Sequence, residues 1–305
     1  MLRSTQGHFV IPNASRCIQM EASFRMTLKC WQQVIEPRSF ECNVSVTCFH
    51  PAVRDRKFQI VFLAAIWAAM IVGYQFRSFI VKSASSQIIG AGRLAEVRGR
   101  LAPRLKAPLA AGSPVFIRIF KESKELELWL KPERGTSRGF VLFKTYPIAN
   151  YGTGTLAPKL AEGDGQAPTG FYTVGAAQMK PDSDYHLAFN LGFPNAYDRA
   201  KGRTGSFLMV HGSTASIGCY AMTDALIEEI YLLVDAALSG GQKGVPVHAF
   251  PFRMSDERLH EAAADEVERS WLAEWENLKA GYDFFERTRV PPVVEVGSDG
   301  RYAFR

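Results

Sequence analysis

The chain has 305 residues, 47% of them apolar and 22% charged, a balance ample for a core and ordinary for a soluble domain. Its formal net charge is +6, spread without a basic run. With no zinc-finger spacing, Walker loop or aromatic-basic RNA signature, this argues against nucleic acid as a partner and suits an anionic envelope or wall polymer.

Residues 1–57 mix isolated aromatics, prolines and polar residues without a sustained period of 2 or 3.6. They read as a cytoplasmic extension or as sequence upstream of the true start. Cys17, Cys30, Cys42 and Cys48 lie here, without metal-ligand spacing. Arg54, Arg56 and Lys57 then precede an uncharged apolar run, Ile60–Tyr74. A basic flank before such a run is the layout of a secretory signal or signal anchor, although a spanning helix wants about 20 residues. No clean cleavage site follows, so 58–76 reads as an uncleaved membrane segment with its basic flank inside. Residues 77–113 read as a linker, a stalk or a short amphipathic helix over Leu94–Leu105.

The folded domain is expected over 114–305. Val115–Phe120 and Phe140–Tyr146 are rich in β-branched and aromatic residues, and Glu125–Leu130 alternates polar with apolar; all three read as strands. Lys131–Arg138 is the turn between two of them. Gly152–Thr169 is a long loop of the kind that is usually functional. Phe171–Val174 and His186–Asn190 read as further strands, with a second loop at Gly192–Ser206. Thr223 or Asp224 caps a helix to about Leu238, stopped by Gly240 and Gly241. Val245–Phe252 reads as the last core strand. Asp256–Leu278 reads as one or two helices with Trp271 and Trp275 on one packed side, and Val293–Phe304 as a strand or ordered tail. The fold class is α+β: a mainly β, mixed sandwich with flanking helices.

Before the Asp224 helix stands Phe207-Leu-Met-Val-His211-Gly212-Ser-Thr-Ala-Ser216-Ile-Gly218-Cys219-Tyr-Ala-Met-Thr-Asp224. An imidazole and a thiol flank one small loop, close enough to meet. A thiolate attacks carbonyls, an imidazole can take its proton, and a following helix start would favour the thiolate. A buried, inert cysteine and an ordinary His-Gly turn are the alternatives.

This stretch resembles the active-site signature of the L,D-transpeptidase (YkuD-type) catalytic domain, in the form of its YafK-like branch. The likeness runs from about Pro114 to Arg305 and includes Phe143–Pro147, Gly163–Tyr172, Tyr185–Arg199 and Gly202–Ser206. Ile217 departs from the wider family, which carries a second His there. The loop after His-Gly is also shorter than usual. Both departures leave open whether the acyl group goes to an amine or to water.

The resemblance implies that Cys219 is the nucleophile on a peptidoglycan stem peptide and His211 its base. Ser216 either orients the imidazole or serves a turn. Gly218 allows close substrate approach, and the N–H groups of Gly218, Cys219 and Tyr220 are candidates for an oxyanion hole. Arg203, with Arg199 and Lys159, can hold a substrate carboxylate or pair structurally. Tyr220, Gly212 and His186 complete the substrate-side candidates; His186 and His248 also fit the core. No metal or cofactor is expected. The implied partners are stem peptides, a wall-linked lipoprotein and the cytoplasmic membrane through 58–76, in the periplasm. A hydrolase of the same fold and a non-catalytic wall-binding module are the other readings.

Overall fold

The computed structural model describes residues 56–105, 112–132 and 139–305. The expectations for residues 1–55, including four cysteines, and for most of the 131–138 turn lie outside the described residues. Contacts divide the chain into two units, Met1–Leu63 and Ala64–Arg305, and every strand among the described residues belongs to the second.

Helix α1 spans Arg56–Leu101, so residues 77–101 continue a helix where a linker was expected. They contain no proline and are rich in good helix formers; the helix stops just ahead of Pro103, whose ring disfavours helical geometry in the preceding residue. Large side chains from Ile66 to Val81, among them Trp67, Met70, Tyr74 and Phe79, are exposed. Further on, Gly90 and Val97 are buried and Ser86, Arg93 and Leu94 half-buried. Their spacing of three and four residues is one helical face turned to the domain.

Strands β1 (Val115–Phe120), β2 (Glu125–Leu130), β3 (Val141–Pro147), β4 (Gly170–Val174) and β9 (Val245–Phe250) form a five-stranded sheet in the order β3-β2-β1-β9-β4. β1 is antiparallel to β2 and parallel to β9. Strands β5 (Met179–Lys180), β6 (Ala188–Asn190), β7 (Met209–His211) and β8 (Tyr220–Ala221) form a second sheet in chain order, with β7 and β8 parallel. A short helix α2, Ala196–Ala200, lies between β6 and β7.

Every residue of β1 is buried, and its alternation separates two cores. Val115, Ile117 and Ile119 join Leu126, Leu128, Tyr172, Phe189 and Val210 in a core shared by the two sheets. Helix α3, Asp224–Ser239, adds Ile227, Ile230 and Leu233 to it. Phe116 and Phe120 face the other way, toward helix α5, Leu272–Thr288, which brings Phe285 and Trp275. Helix α4, Asp256–Ala264, is separate from α5, and α5 runs ten residues beyond the expected end at Leu278 (288 − 278). The C-terminal segment forms a hairpin, β10 (Val294–Val296) with β11 (Tyr302–Phe304).

The α+β class is as expected, with one helix packed into the core between its sheets. β6 starts at Ala188 rather than His186, because His186 has φ +69°, a left-handed conformation that ends the pleat. Thr223 precedes α3 without a side-chain cap, and the Asp224 carboxylate accepts instead from the Ser213 N–H at 2.7 Å.

Candidate active site

In the parallel pairing of β7 and β8, Val210 stands opposite Tyr220 and His211 opposite Ala221. One step back sets Cys219 beside Met209, whose N–H donates to the Cys219 sulfur at 3.4 Å. Met209 and His211 share a face of β7 because strand side chains alternate. Thiol and imidazole therefore reach one opening, and both line a cleft of about 400 Å3.

The imidazole is buried, with Nδ1 at 2.5 Å from the Gly212 carbonyl. A carbonyl only accepts, so this contact assigns the proton to Nδ1 and leaves the basic lone pair on Nε2. Burial pushes the His211 pKa below its ordinary value, partly offset by the Gly212 carbonyl. The Cys219 thiol donates to the Phe207 carbonyl at 3.5 Å. Burial pushes its pKa up, against the smaller opposing effects of the Met209 N–H and the Lys159 charge. The two shifts together favour a neutral thiol beside a neutral imidazole. The expected helix-dipole assistance is absent, because Cys219 leads into strand β8 and α3 begins only at Asp224.

Ser216 serves the Cys219 loop rather than the imidazole. Its hydroxyl donates to the Cys219 carbonyl at 2.7 Å and accepts from the Gly218 N–H at 3.1 Å. The Gly218 N–H is thereby taken, which removes it from the oxyanion candidates. Gly218 has φ +135°, and a Cβ there would sit 2.9 Å from the Gln166 carbonyl oxygen; the position faces the long loop at its back. Gly212 is equally enclosed: a Cβ would lie 2.5 Å from Asp224 Oδ1 and 2.8 Å from the Tyr185 carbonyl oxygen. It offers the substrate no surface and contributes its carbonyl to His211.

The remaining candidates lie away from the cleft. Arg203 is buried between Asp198, at 3.1 Å, and Glu274, so its charge is already paired within the fold. Lys159 donates to Asp164 at 2.7 Å and to the Ala161 carbonyl, and Arg199 donates to the Pro194 carbonyl. Tyr220 is fully buried, its hydroxyl donating to the Pro168 carbonyl at 2.6 Å. His186 turns to Glu228, with Nε2 at 2.8 Å. His248 stands among Phe116, Phe171 and Phe250; burial, then the Arg118 charge, pushes its pKa down to about 3. It borders a second cavity of about 420 Å3, between β4 and the C-terminal hairpin, which holds no thiol.

Sequence reasoning passed over Tyr185. Its ring lies on the His211 imidazole, centroids 4.8 Å apart, and it lines the cleft with Lys180, Asp182 and Asp184. A strand beginning at His186 would put the His186 side chain, not Tyr185, beside the cleft; the left-handed His186 breaks that pattern. Ser86 of α1 also lines the cleft, within the segment expected as a linker or stalk.

Residues 121–249 match the L,D-transpeptidase catalytic domain, YkuD. The chain is 48% identical over 191 residues to "Putative L,D-transpeptidase YafK" of Escherichia coli (strain K12), covering 63% of this chain and 74% of that protein. Among solved structures it is similar to the helical cell shape determining protein Pgp2 of Campylobacter jejuni, at 18% identity and a TM-score of 0.35, over 61% of this chain and 73% of that one. It is also similar to Bd1075 of Bdellovibrio bacteriovorus, at 17% identity and a TM-score of 0.34, over 55% and 71% of the respective chains.

Proposed function

Because the chain belongs to the YkuD family of L,D-transpeptidase catalytic domains, we propose that it is a peptidoglycan L,D-transpeptidase that carries a stem-peptide acyl group on Cys219 with His211 as base. The observation that carries this reading is the anchored imidazole: Nδ1 is held on the Gly212 carbonyl, so Nε2 is the nitrogen left to take a proton in the cleft that Cys219 lines.

The thiol proton passes to His211 Nε2 as sulfur attacks the carbonyl carbon of the stem peptide, after its diaminopimelate residue. The carbonyl electron pair moves to oxygen, and the Cys219 and Tyr220 N–H groups are the candidates to receive it. Collapse restores the carbonyl, breaks the C–N bond and sends the proton from Nε2 to the leaving amine. An incoming amine then attacks the thioester, gives its proton to Nε2, and the thiol is regenerated. Burial of both groups supports base-assisted attack from a neutral pair over a standing thiolate–imidazolium pair.

The exposed apolar residues of α1 support an anchor in the cytoplasmic membrane, with the cleft on its periplasmic side. Among the described residues one helix is long and apolar enough to cross a membrane.

The test is incubation of isolated peptidoglycan with the wild type and Cys219→Ala, with products read by mass spectrometry. The reading requires cross-linked dimers or exchanged D-amino acids from the wild type alone. Shortened peptides without dimers, or release of a diaminopimelate-linked protein, would make it a hydrolase of the same fold. No Cys219-dependent product would leave a wall-binding module.

A further inference from the structure

The segment that carries Tyr185 is held by α1. Arg93 Nη1 donates to three carbonyls of that segment, those of Ser183 at 2.8 Å, Pro181 at 3.3 Å and His186. Ser86 Oγ donates to Asp182 Oδ2 at 2.6 Å. Gly90 comes so close that a Cβ would sit 2.8 Å from the Asp182 nitrogen. His186, directly after Tyr185, keeps its left-handed φ of +69°, a conformation that persists in a non-glycine residue only where its surroundings over-determine it. Here Arg93 holds its carbonyl and Glu228, itself paired with Arg100 at 2.7 Å, holds its ring. Tyr185 is half exposed, and its own carbonyl accepts from the Gly212 N–H at 3.1 Å.

We propose that Arg93 is a positioning residue of the active site: by clamping the 181–186 carbonyls it seats the Tyr185 ring on the His211 imidazole. The inference rests on His211 being the base. A single guanidinium crosses from the helix to the segment that covers the imidazole, so the Cys219–His211 geometry depends on α1 being docked. The other charged or titratable groups near the imidazole are Cys219, Asp224, Lys180, Asp182 and Asp184; of these Asp182 also feels the Arg93 charge, which Arg93→Lys keeps in place.

The test is the titration of the His211 ring by NMR in the full chain, in detergent micelles, with labelled histidine and the resonance assigned by His211→Gln. It needs no turnover, so it stands or falls separately from the peptidoglycan reading. Removing the Tyr185 cover admits water and raises the His211 midpoint toward its ordinary value. Arg93→Ala and Tyr185→Ala should raise it by similar amounts, and the double variant no further than Tyr185→Ala alone. Arg93→Lys, which keeps the charge but not the planar fork, should fall between. Arg98→Ala, which removes a helix contact to Asp235 outside this segment, should leave the midpoint in place. An unchanged midpoint in Arg93→Ala, additivity with Tyr185→Ala, or an equal shift in Arg98→Ala would overturn the proposal. If Arg93→Ala does not fold, Arg93→Lys decides: a wild-type midpoint there counts against it.

Discussion

The Cys219 thiol points its proton at the carbonyl of Phe207, 3.5 Å away, in a strand-paired loop. With burial raising the thiol and lowering the imidazole of His211, the resting pair stores no charge. In the proposed mechanism the nucleophile is made during the attack, by a base whose tautomer the Gly212 carbonyl assigns.

This sets the pH dependence. A histidine whose pKa is lowered stays neutral, and able to accept a proton, to a more acid pH than usual. The acid limb of kcat/KM should therefore have its midpoint below the ordinary histidine value of about 6.5. In His211→Gln, alkylation of Cys219 by iodoacetamide should climb only above the ordinary cysteine range, since burial raises that thiol. A rate already at its plateau at neutral pH in His211→Gln would contradict a neutral resting thiol.

Arg203 should behave as a structural residue. Its removal leaves the buried Asp198 and Glu274 carboxylates without their cation, a loss of about 3–5 kcal/mol for a buried pair broken on one side. Arg203→Ala should unfold at markedly lower urea concentration while its folded fraction alkylates at the wild-type rate. A variant of unchanged stability with raised KM would restore Arg203 to the substrate.

Ser216→Ala should loosen the Cys219 loop. Two hydrogen bonds disappear, to the Cys219 carbonyl and from the Gly218 N–H, each worth about 0.5–1.5 kcal/mol. Faster hydrogen exchange at Gly218 and a lower kcat, with the His211 titration unmoved, are the expected outcome. A shift in that titration would mean that Ser216 acts on the imidazole after all.

Gly218→Ala tests the loop at its back. The added methyl meets the Gln166 carbonyl oxygen at 2.9 Å in a backbone conformation of φ +135°, so backbone must move. The variant should fold, because the position lies outside the main cores, and lose most Cys219-dependent turnover. Wild-type turnover would show that the loop has room to spare.

Much of this was legible from residue order. Alternation and β-branching marked β1, β2, β4 and β9, and the His-Gly and Ser-x-Gly-Cys pair marked the two sides of the cleft. Other features depend on tertiary contacts. Nothing local to Arg203 reveals that Glu274 arrives from 71 residues away, and nothing local to Tyr185 reveals a left-handed His186 that reverses the strand alternation. The second half of α1 is only partly legible: its composition suits a stalk, and a short amphipathic helix over Leu94–Leu105 is the part of it that the sequence offers. Its docked face opens on small and polar residues, Ser86, Gly90 and Arg93, before the apolar Leu94, Val97 and Leu101, so an apolar period shows only over its last turns.

The most direct measurement is the intact mass of the protein after incubation with muropeptides bearing diaminopimelate-containing stems, with peptide mapping of any adduct. The account predicts an acyl adduct on Cys219 in the wild type, a much slower one in His211→Gln and none in Cys219→Ala. Turnover by Cys219→Ala, or an adduct on another residue, would contradict it.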